Sequence, residues 1–272
     1  MEKIGNVVIC YQNEEEVIKY AEQLNKQSLR AKIKLYVVIN KKGTMSCNLF
    51  EKKLQEFIEE YKIIDLEKNI GYLNGLLIGA KYALQECNYE WLIFSNTDIL
   101  IPDINFFENM VNRLRGIDKA IWAVGPSIYA ANQEEYSNPY MLFRPSKWEY
   151  IKTNIALTFP EIFDLFFGLK KKSRKRKKNI EVESGFVYAI HGSFMILRKQ
   201  LIEIIMDRPA WELLYDEESY ISEIVHMNNK KIYFEKELLV KHLEGMSTGK
   251  TKIRWKYKIM KQSNKRILKE FY

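Results

Sequence analysis

The chain has 272 residues, of which 47% are hydrophobic and 13% aromatic, and carries a formal net charge of +8. That is apolar material enough for one large packed domain, and it excludes a generally disordered protein. No apolar run reaches the roughly 18–20 residues that span a bilayer. Three widely spaced cysteines, Cys10, Cys47 and Cys87, suggest neither a disulfide framework nor a zinc cluster. The opening MEKIGNVVICY enters an apolar strand at once. It lacks the basic start and small-residue cleavage site of a signal peptide, which points to a cytosolic chain.

In chain order, NVVICY (6–11) reads as a buried strand. Asn13-Glu14-Glu15-Glu16 then opens a helix whose Val17, Ile18, Ala21 and Leu24 recur at helical spacing. KLYVVIN (34–40) is a second strand. Past the Gly43 turn a helix is expected with Phe50, Leu54, Phe57, Ile58 and Tyr61 on one face. KIIDL (62–66) is a third strand, a helix covers roughly 74–86, EWLIFSN (90–96) is a fourth strand, and 106–114 is helical. Strands apolar on both faces, alternating with helices, predict an α/β fold with a Rossmann-like, mostly parallel central sheet flanked by helices. Such sheets bind ligands at the carboxyl ends of their strands. Tyr11-Gln12-Asn13, Asn40 and Asn96-Thr97-Asp98 all fall on that edge.

After residue 120 the alternation loosens. IWAVGPSIY (121–129) and FVYAIHGSFMILR (186–198) are strand-like, with an insertion at about 130–184 between them. A helix near 199–206, the stretch WELLYDEESYISEIVHMNN (211–229) and a strand IYFEKELLVKH (232–242) follow. The charge is unevenly placed. KKKSRKRKK (170–178) contributes +8 and 250–272 another +8, so a total of +8 leaves the remaining body at −8. An acidic globule with two cationic appendages suits an anionic lipid surface better than a uniform nucleic-acid interface. The apolar IALTFPEIFDLFFGL (155–169) abuts the first basic block, and Trp255, Tyr257, Ile259 and Met260 lie among the cations of the tail, as in an interfacial anchor.

Six segments, in order, resemble the inverting family-two glycosyltransferases of the GT-A fold, of the rhamnosyltransferase-like kind that builds bacterial polysaccharides. VVICYQNEEEV resembles their opening strand and helix. KNIGYLNGLLIGAKYAL (68–84) resembles the segment carrying Asn69, Gly71, Gly75 and Gly79. FSNTDILI resembles the metal-binding strand end, VGPSI (124–128) and HGSFMILR (191–198) the later blocks, and DEESYISEIV (216–225) with VKHLEGMST (240–248) the acidic base motif and its following His.

The resemblance implies a metal-dependent hexosyl- or rhamnosyltransferase using a nucleotide diphosphate sugar and Mn2+ or Mg2+. Asp98 and His242 would hold the metal. Tyr11, Asn13, Asn40, Asn69, Gly71, Gly75 and Asn96 would line the donor site, and His191 and Gly192 the acceptor side. Glu218 would be the general base, with Glu217 and Asp216 beside it. Crowding of three carboxylates raises at least one pKa, which suits a base. The implied layout is one catalytic domain over 1–249, with a donor half 1–118 and an acceptor half 119–249, followed by the basic tail 250–272. The implied setting is the cytoplasmic face of the membrane, with a lipid-linked glycan acceptor. The sequence departs from the family at Asn40, where Asp is frequent, and at Glu217-Glu218, where Glu-Asp is commoner.

Each residue also has a structural alternative. Asp98 fits an Asx turn, the three acids an acidic first helical turn, the glycines tight turns and close packing, and Tyr11 and Asn13 strand-end packing and a helix cap. His191 fits a satisfied core residue and His242 an ordinary strand end. Two rival functions also fit parts of the sequence: a non-catalytic scaffold, and a nucleic-acid-binding protein that leaves Asp98 and the acids at 216–218 unexplained. A dinucleotide oxidoreductase lacks its Gly-x-Gly-x-x-Gly after the first strand.

Overall fold

The computed structural model describes residues 3–159, 182–243 and 253–272. Its strands are β1 (Ile4–Tyr11), β2 (Ile33–Lys41), β3 (Tyr61–Asp65), β4 (Trp91–Ser95), β5 (Ile99–Leu100), β6 (Ile121–Ala130), β7 (Glu135–Tyr136), β8 (Gly185–Val187), β9 (Phe194–Arg198) and β10 (Lys231–His242). The α-helices are α1 (Glu14–Asn25), α2 (Cys47–Gln55), α3 (Tyr72–Glu86), α4 (Phe106–Leu114), α5 (Lys147–Thr158), α6 (Lys199–Met206), α7 (Glu217–Met227) and α8 (Ile253–Phe271).

One sheet joins all ten strands in the order β3-β2-β1-β4-β9-β6-β10-β5, with β7 beside β6 and β8 beside β10. β1 runs parallel to β2 and β4, β2 to β3, and β6 to β10, as the two-sided apolar strands predict. Helices cover both faces. Val8, Val37, Phe106 and Phe194 belong to the core on one side, and Val7, Phe94, Leu201 and Ile221 to the core on the other. A mostly parallel, helix-flanked sheet of this kind is the GT-A architecture.

One of the antiparallel pairings shapes the site. β9 enters antiparallel between β4 and β6, so its N-terminal end lies at the carboxyl end of β4. The stretch 186–198 is therefore not one strand: β8 and β9 are separated by a loop that carries His191 and Gly192 to the ligand edge.

Other boundaries also move. α2 ends at Gln55, two residues before Phe57, and Tyr61 already begins β3. Only Glu217–Met227 of the stretch 211–229 is helical. The segment read as a basic tail is, over Ile253–Phe271, a helix packed on the body. Ile259, Ser263, Asn264 and Ile267 are buried, and Tyr257 and Met260 pack on Ala156 and Leu157 of α5. Three of the four apolar residues assigned to an interfacial anchor thus serve internal packing, and Trp255 remains exposed. The basic run 170–178, most of the apolar stretch before it, and the end of VKHLEGMST lie outside the described residues.

Candidate active site

The carboxyl ends of β1, β2 and β3 enclose a cavity of about 660 Å3 lined by Tyr11, Asn40, Lys41, Lys42, Asp65, Lys68 and Asn69 among others. Tyr11 stands at its rim with the Lys41 ammonium 5.4 Å from the ring centre. Asp65 ends β3 and pairs with Lys42 at 2.6 Å, and the ammonium holds this carboxyl below its ordinary range. Neither Asp65 nor the lysines stood out in the sequence, because a single acid ending a five-residue strand carries no distinguishing spacing.

Five of the expected donor contacts have structural work. Asn40 is buried and its amide clasps the turn before α3, donating to the Gly71 carbonyl (3.0 Å) and accepting from the Ile70 N–H (2.9 Å). Asn13 accepts from the Tyr11 N–H (2.7 Å) and donates to Thr97 Oγ1 and Glu16 Oε2 (2.8 Å each), which ties β1 to the end of β4. Asn69 accepts from the Gly71 N–H in an Asx turn (2.9 Å). Gly71 has φ 97°, and a Cβ there would lie 2.8 Å from the Leu213 carbonyl oxygen, so both conformation and space require glycine. Gly75 lets α3 approach β1, where a Cβ would meet Ile9 at 2.7 Å.

The second group of polar residues gathers beyond β4. β5 pairs antiparallel with the end of β10, so that His242 stands opposite Ile99, and the Leu243 N–H donates to the Asp98 carbonyl (3.0 Å). This short pairing sets Asp98 Oδ1 3.1 Å from His242 Nε2, an ion-pair distance, although the oxygen is buried and makes no hydrogen bond. Asn96 Nδ2 lies 3.5 Å from the same His242 nitrogen. A desolvated carboxylate oxygen beside an imidazole nitrogen fits a divalent cation that takes its remaining ligands from phosphate oxygens or water. Among the described residues no three His, Cys, Asp or Glu side chains converge as a metal cage. The arrangement is thus a two-residue donor set.

The acids form the opposite wall. Asp216 is the residue before α7, in the left-handed region at φ 58°, and Glu217 and Glu218 occupy the first turn of the helix. The Gly192 N–H donates to Glu218 Oε1 (3.0 Å), whereas Glu217 Oε2 is buried without a hydrogen bond. Burial raises all three carboxyls. Asp216 is pushed up to about 7 by desolvation and then by the charge of Glu218. Glu217 is raised furthest, by desolvation and then by Glu218. Glu218 is raised by desolvation, against which its own N–H and that of Gly192 stabilise the anion. Both glutamates are thus raised by burial as a coupled pair, and backbone N–H groups favour the anion at each.

Tyr72 joins the two walls. Its hydroxyl lies 2.7 Å from Asn96 Oδ1 and 3.0 Å from the Gly192 carbonyl. Burial, followed by the charges of Glu217, Glu218 and Asp98, keeps this phenol protonated and hence a donor. The sequence placed Tyr72 between Gly71 and Gly75 and offered no other signal. His191 Nδ1 accepts from the Ser193 N–H (3.1 Å), and its ring lies 5.9 Å from that of His242 and 5.7 Å from that of Tyr140. His191 is thus a loop residue between the metal-type pair and the insertion, not a residue inside a strand.

The insertion is locked to α7 by an ion pair. Glu223, fully buried, accepts from Arg144 Nε (2.9 Å) and Nη2 (2.8 Å), from Tyr188 (2.7 Å) and from Tyr272 (3.1 Å). Removing one partner of a buried pair strands the other's charge. Arg144→Ala is expected to cost on the order of 3 kcal/mol, with Tyr188 and Tyr272 holding the loss below the upper limit for such pairs. Urea unfolding of the variant measures it; an unchanged midpoint would refute the ion pair's structural weight.

Residues 6–204 match the family described as "Glycosyl transferase family 2", and the chain belongs to that family. No curated protein sequence matches the chain. Solved structures of similar fold include a mannosyltransferase from Pyrobaculum calidifontis in complex with GDP-Man and Mn2+, at 13% identity and TM-score 0.56, covering 90% of this chain and 58% of that one. TarS 1–349 of S. aureus in complex with UDP-GlcNAc is 12% identical with TM-score 0.58, covering 94% and 64%. GalNAc-T7 with UDP, GalNAc and Mn2+ is 14% identical with TM-score 0.61, covering 92% and 45%. The chain thus spans less than two thirds of the length of each of these structures.

Proposed function

We propose that the protein is an inverting glycosyltransferase. It moves a hexosyl or rhamnosyl group from a nucleotide diphosphate sugar to a hydroxyl of a lipid-linked glycan in surface-polysaccharide synthesis. The observation that carries this reading is the convergence, at one sheet edge, of Asp98 and His242 with Glu217 and Glu218 across the Tyr72 hydroxyl.

The cavity over β1–β3 would take the nucleoside, with Tyr11 against its rings and Asp65 or Asn69 at its polar edges. Mn2+ or Mg2+ held by Asp98 and His242 would neutralise the charge that builds on the departing diphosphate. Glu218, held by the Gly192 N–H, would take the acceptor hydroxyl's proton. Glu217 would orient Glu218 or bind the acceptor, and His191 and Tyr140 would border it. The setting is the cytoplasmic membrane face, supported by the basic run 170–178 beside an apolar stretch. No helix among the described residues is long and apolar enough to cross a membrane.

Ligand-observed NMR with UDP-, dTDP- and GDP-sugars, with and without Mn2+, tests the donor half. One donor binding in a metal-dependent way is expected; no binding to any of them would favour the non-catalytic scaffold. The base half has its own test in Gly192, where a Cβ would lie 2.9 Å from Glu218 Oε1 and 3.4 Å from Glu217 Oε1. Gly192→Ala is expected to lower kcat for donor turnover by about 10²-fold through displacement of the base, with donor affinity retained. Equal turnover by the variant would remove Glu218 from the reaction.

A further inference from the structure

α5 carries apolar side chains on two sides. Ala156 and Leu157 face inward onto Tyr257 and Met260 of α8. Trp148, Ile155 and Phe159 follow at spacings of seven and four, which sets them along another side of the helix and its C-terminal cap. They are 69%, 56% and 54% exposed. α8 runs antiparallel alongside: Lys147 Nζ reaches the Tyr272 carbonyl (2.9 Å) at one end, and Asn154 reaches Asn264 (3.1 Å) further along. On α8 the exposed Lys258, Lys265 and Lys269 recur at the same spacings of seven and four. The apolar stripe and the lysine row meet, since Ile155, Lys265 and Lys269 line one open groove of about 410 Å3 with Ile151, Asn154 and Leu268.

We propose that this α5–α8 face is the surface by which the chain docks on an anionic lipid bilayer. The inference rests on the membrane setting proposed above and narrows it to one face of α5 and α8, where Ile155, Phe159 and the three lysines belong to segments the sequence pointed to and Trp148 is added. Exposed tryptophan and aliphatic side chains beside a row of cations have the composition of an interfacial helix: the apolar groups enter the acyl boundary while the ammonium groups meet phosphates. Charge fixes the orientation. The body without the two basic segments is net −8, so an anionic leaflet repels the remainder of the surface and attracts this side. The docked face is also mechanically joined to the site, because Arg144, Tyr188 and Tyr272 grip Glu223 on α7, five residues beyond Glu218.

The test is co-sedimentation of the full chain with phosphatidylcholine vesicles and with vesicles that also contain phosphatidylglycerol. Three proteins are compared with wild type: Trp148→Ser/Ile155→Ser/Phe159→Ser, Lys258→Glu/Lys265→Glu/Lys269→Glu, and a deletion of 170–178. Wild type is expected to bind only the anionic vesicles, and each triple variant to bind roughly tenfold or more weakly with its melting temperature unchanged. Tryptophan emission should shift to the blue on binding and lose that shift without Trp148. Wild-type affinity in both triple variants, with loss only on deleting 170–178, would overturn this face while leaving the membrane setting intact. A lowered melting temperature with wild-type vesicle binding in the apolar variant would mean that another part of the chain covers the stripe, which overturns it too. Absence of wild-type binding to anionic vesicles would overturn the membrane setting itself and this face with it.

Discussion

Asp98→Ala should abolish metal-dependent donor binding and lower turnover about 10³-fold, an effect of the size seen when a preorganised electrostatic contact to a developing charge is removed. The expectation follows from the size of the donor set. Among the described residues Asp98 is the carboxylate brought to His242, so its loss removes the anionic member of the pair and leaves the imidazole. Asp98→Asn separates chemistry from folding: it keeps the side-chain volume and the backbone bond from Leu243 to residue 98. Both variants should therefore unfold like wild type while losing the Mn2+ dependence seen by NMR. His242→Ala should weaken the metal's effect less, since it leaves the anionic ligand in place. Undiminished metal-dependent binding by Asp98→Asn would sink the assignment.

The second large effect concerns Glu218 and pH. A general base acts when ionised, so activity is present above its pKa and lost as pH falls through it. Burial raises Glu217 and Glu218 above the ordinary glutamate value of 4.5. The acidic limb of kcat/KM should accordingly stand above pH 4.5, displaced upward from that of an exposed glutamate. Glu218→Gln should lower kcat by about 10²–10⁴ and flatten that limb. Glu217→Gln should retain the limb with a smaller loss, because it leaves the base itself in place. A limb that persists in Glu218→Gln and vanishes in Glu217→Gln would exchange the two roles. The pH–rate profiles of the two variants decide between the assignments.

Much of the fold was legible because its cause is local. VVICY, KLYVVIN and WLIFS are apolar at consecutive positions, the mark of strands buried on both faces, and polar residues end each of them. The acids after Asn13 start a helix by contacts within one turn. Boundaries failed where local signals conflict. Tyr61 fits a helical face as well as a strand start, and FVYAIHGSFMILR contains no proline or turn pair to announce the break into β8 and β9. The C-terminal segment was misread as an appendage because its lysines dominate its composition, although Ile259, Ser263 and Ile267 at spacings of four form its buried face. A serine at the centre of an inward stripe does not register as apolar.

By itself the sequence determined the family, the succession of strands and helices, and the candidate residues Asp98, Glu217, Glu218 and His242. All of these reside in short segments whose spacing is readable along the chain. The tertiary structure decided which of them meet. Tyr72 lies 24 residues from Asn96 and 120 from Gly192 in sequence, yet its hydroxyl reaches both. Asp98 approaches His242 only because β5 pairs with the end of β10, and Gly192 reaches Glu218 only because β9 enters the sheet antiparallel. Asn40 and Asn13, both polar strand ends by sequence, are drawn into clasps that hold the backbone. Strand order and direction are set by how all the apolar faces are buried together, a property of the whole chain that no single segment carries.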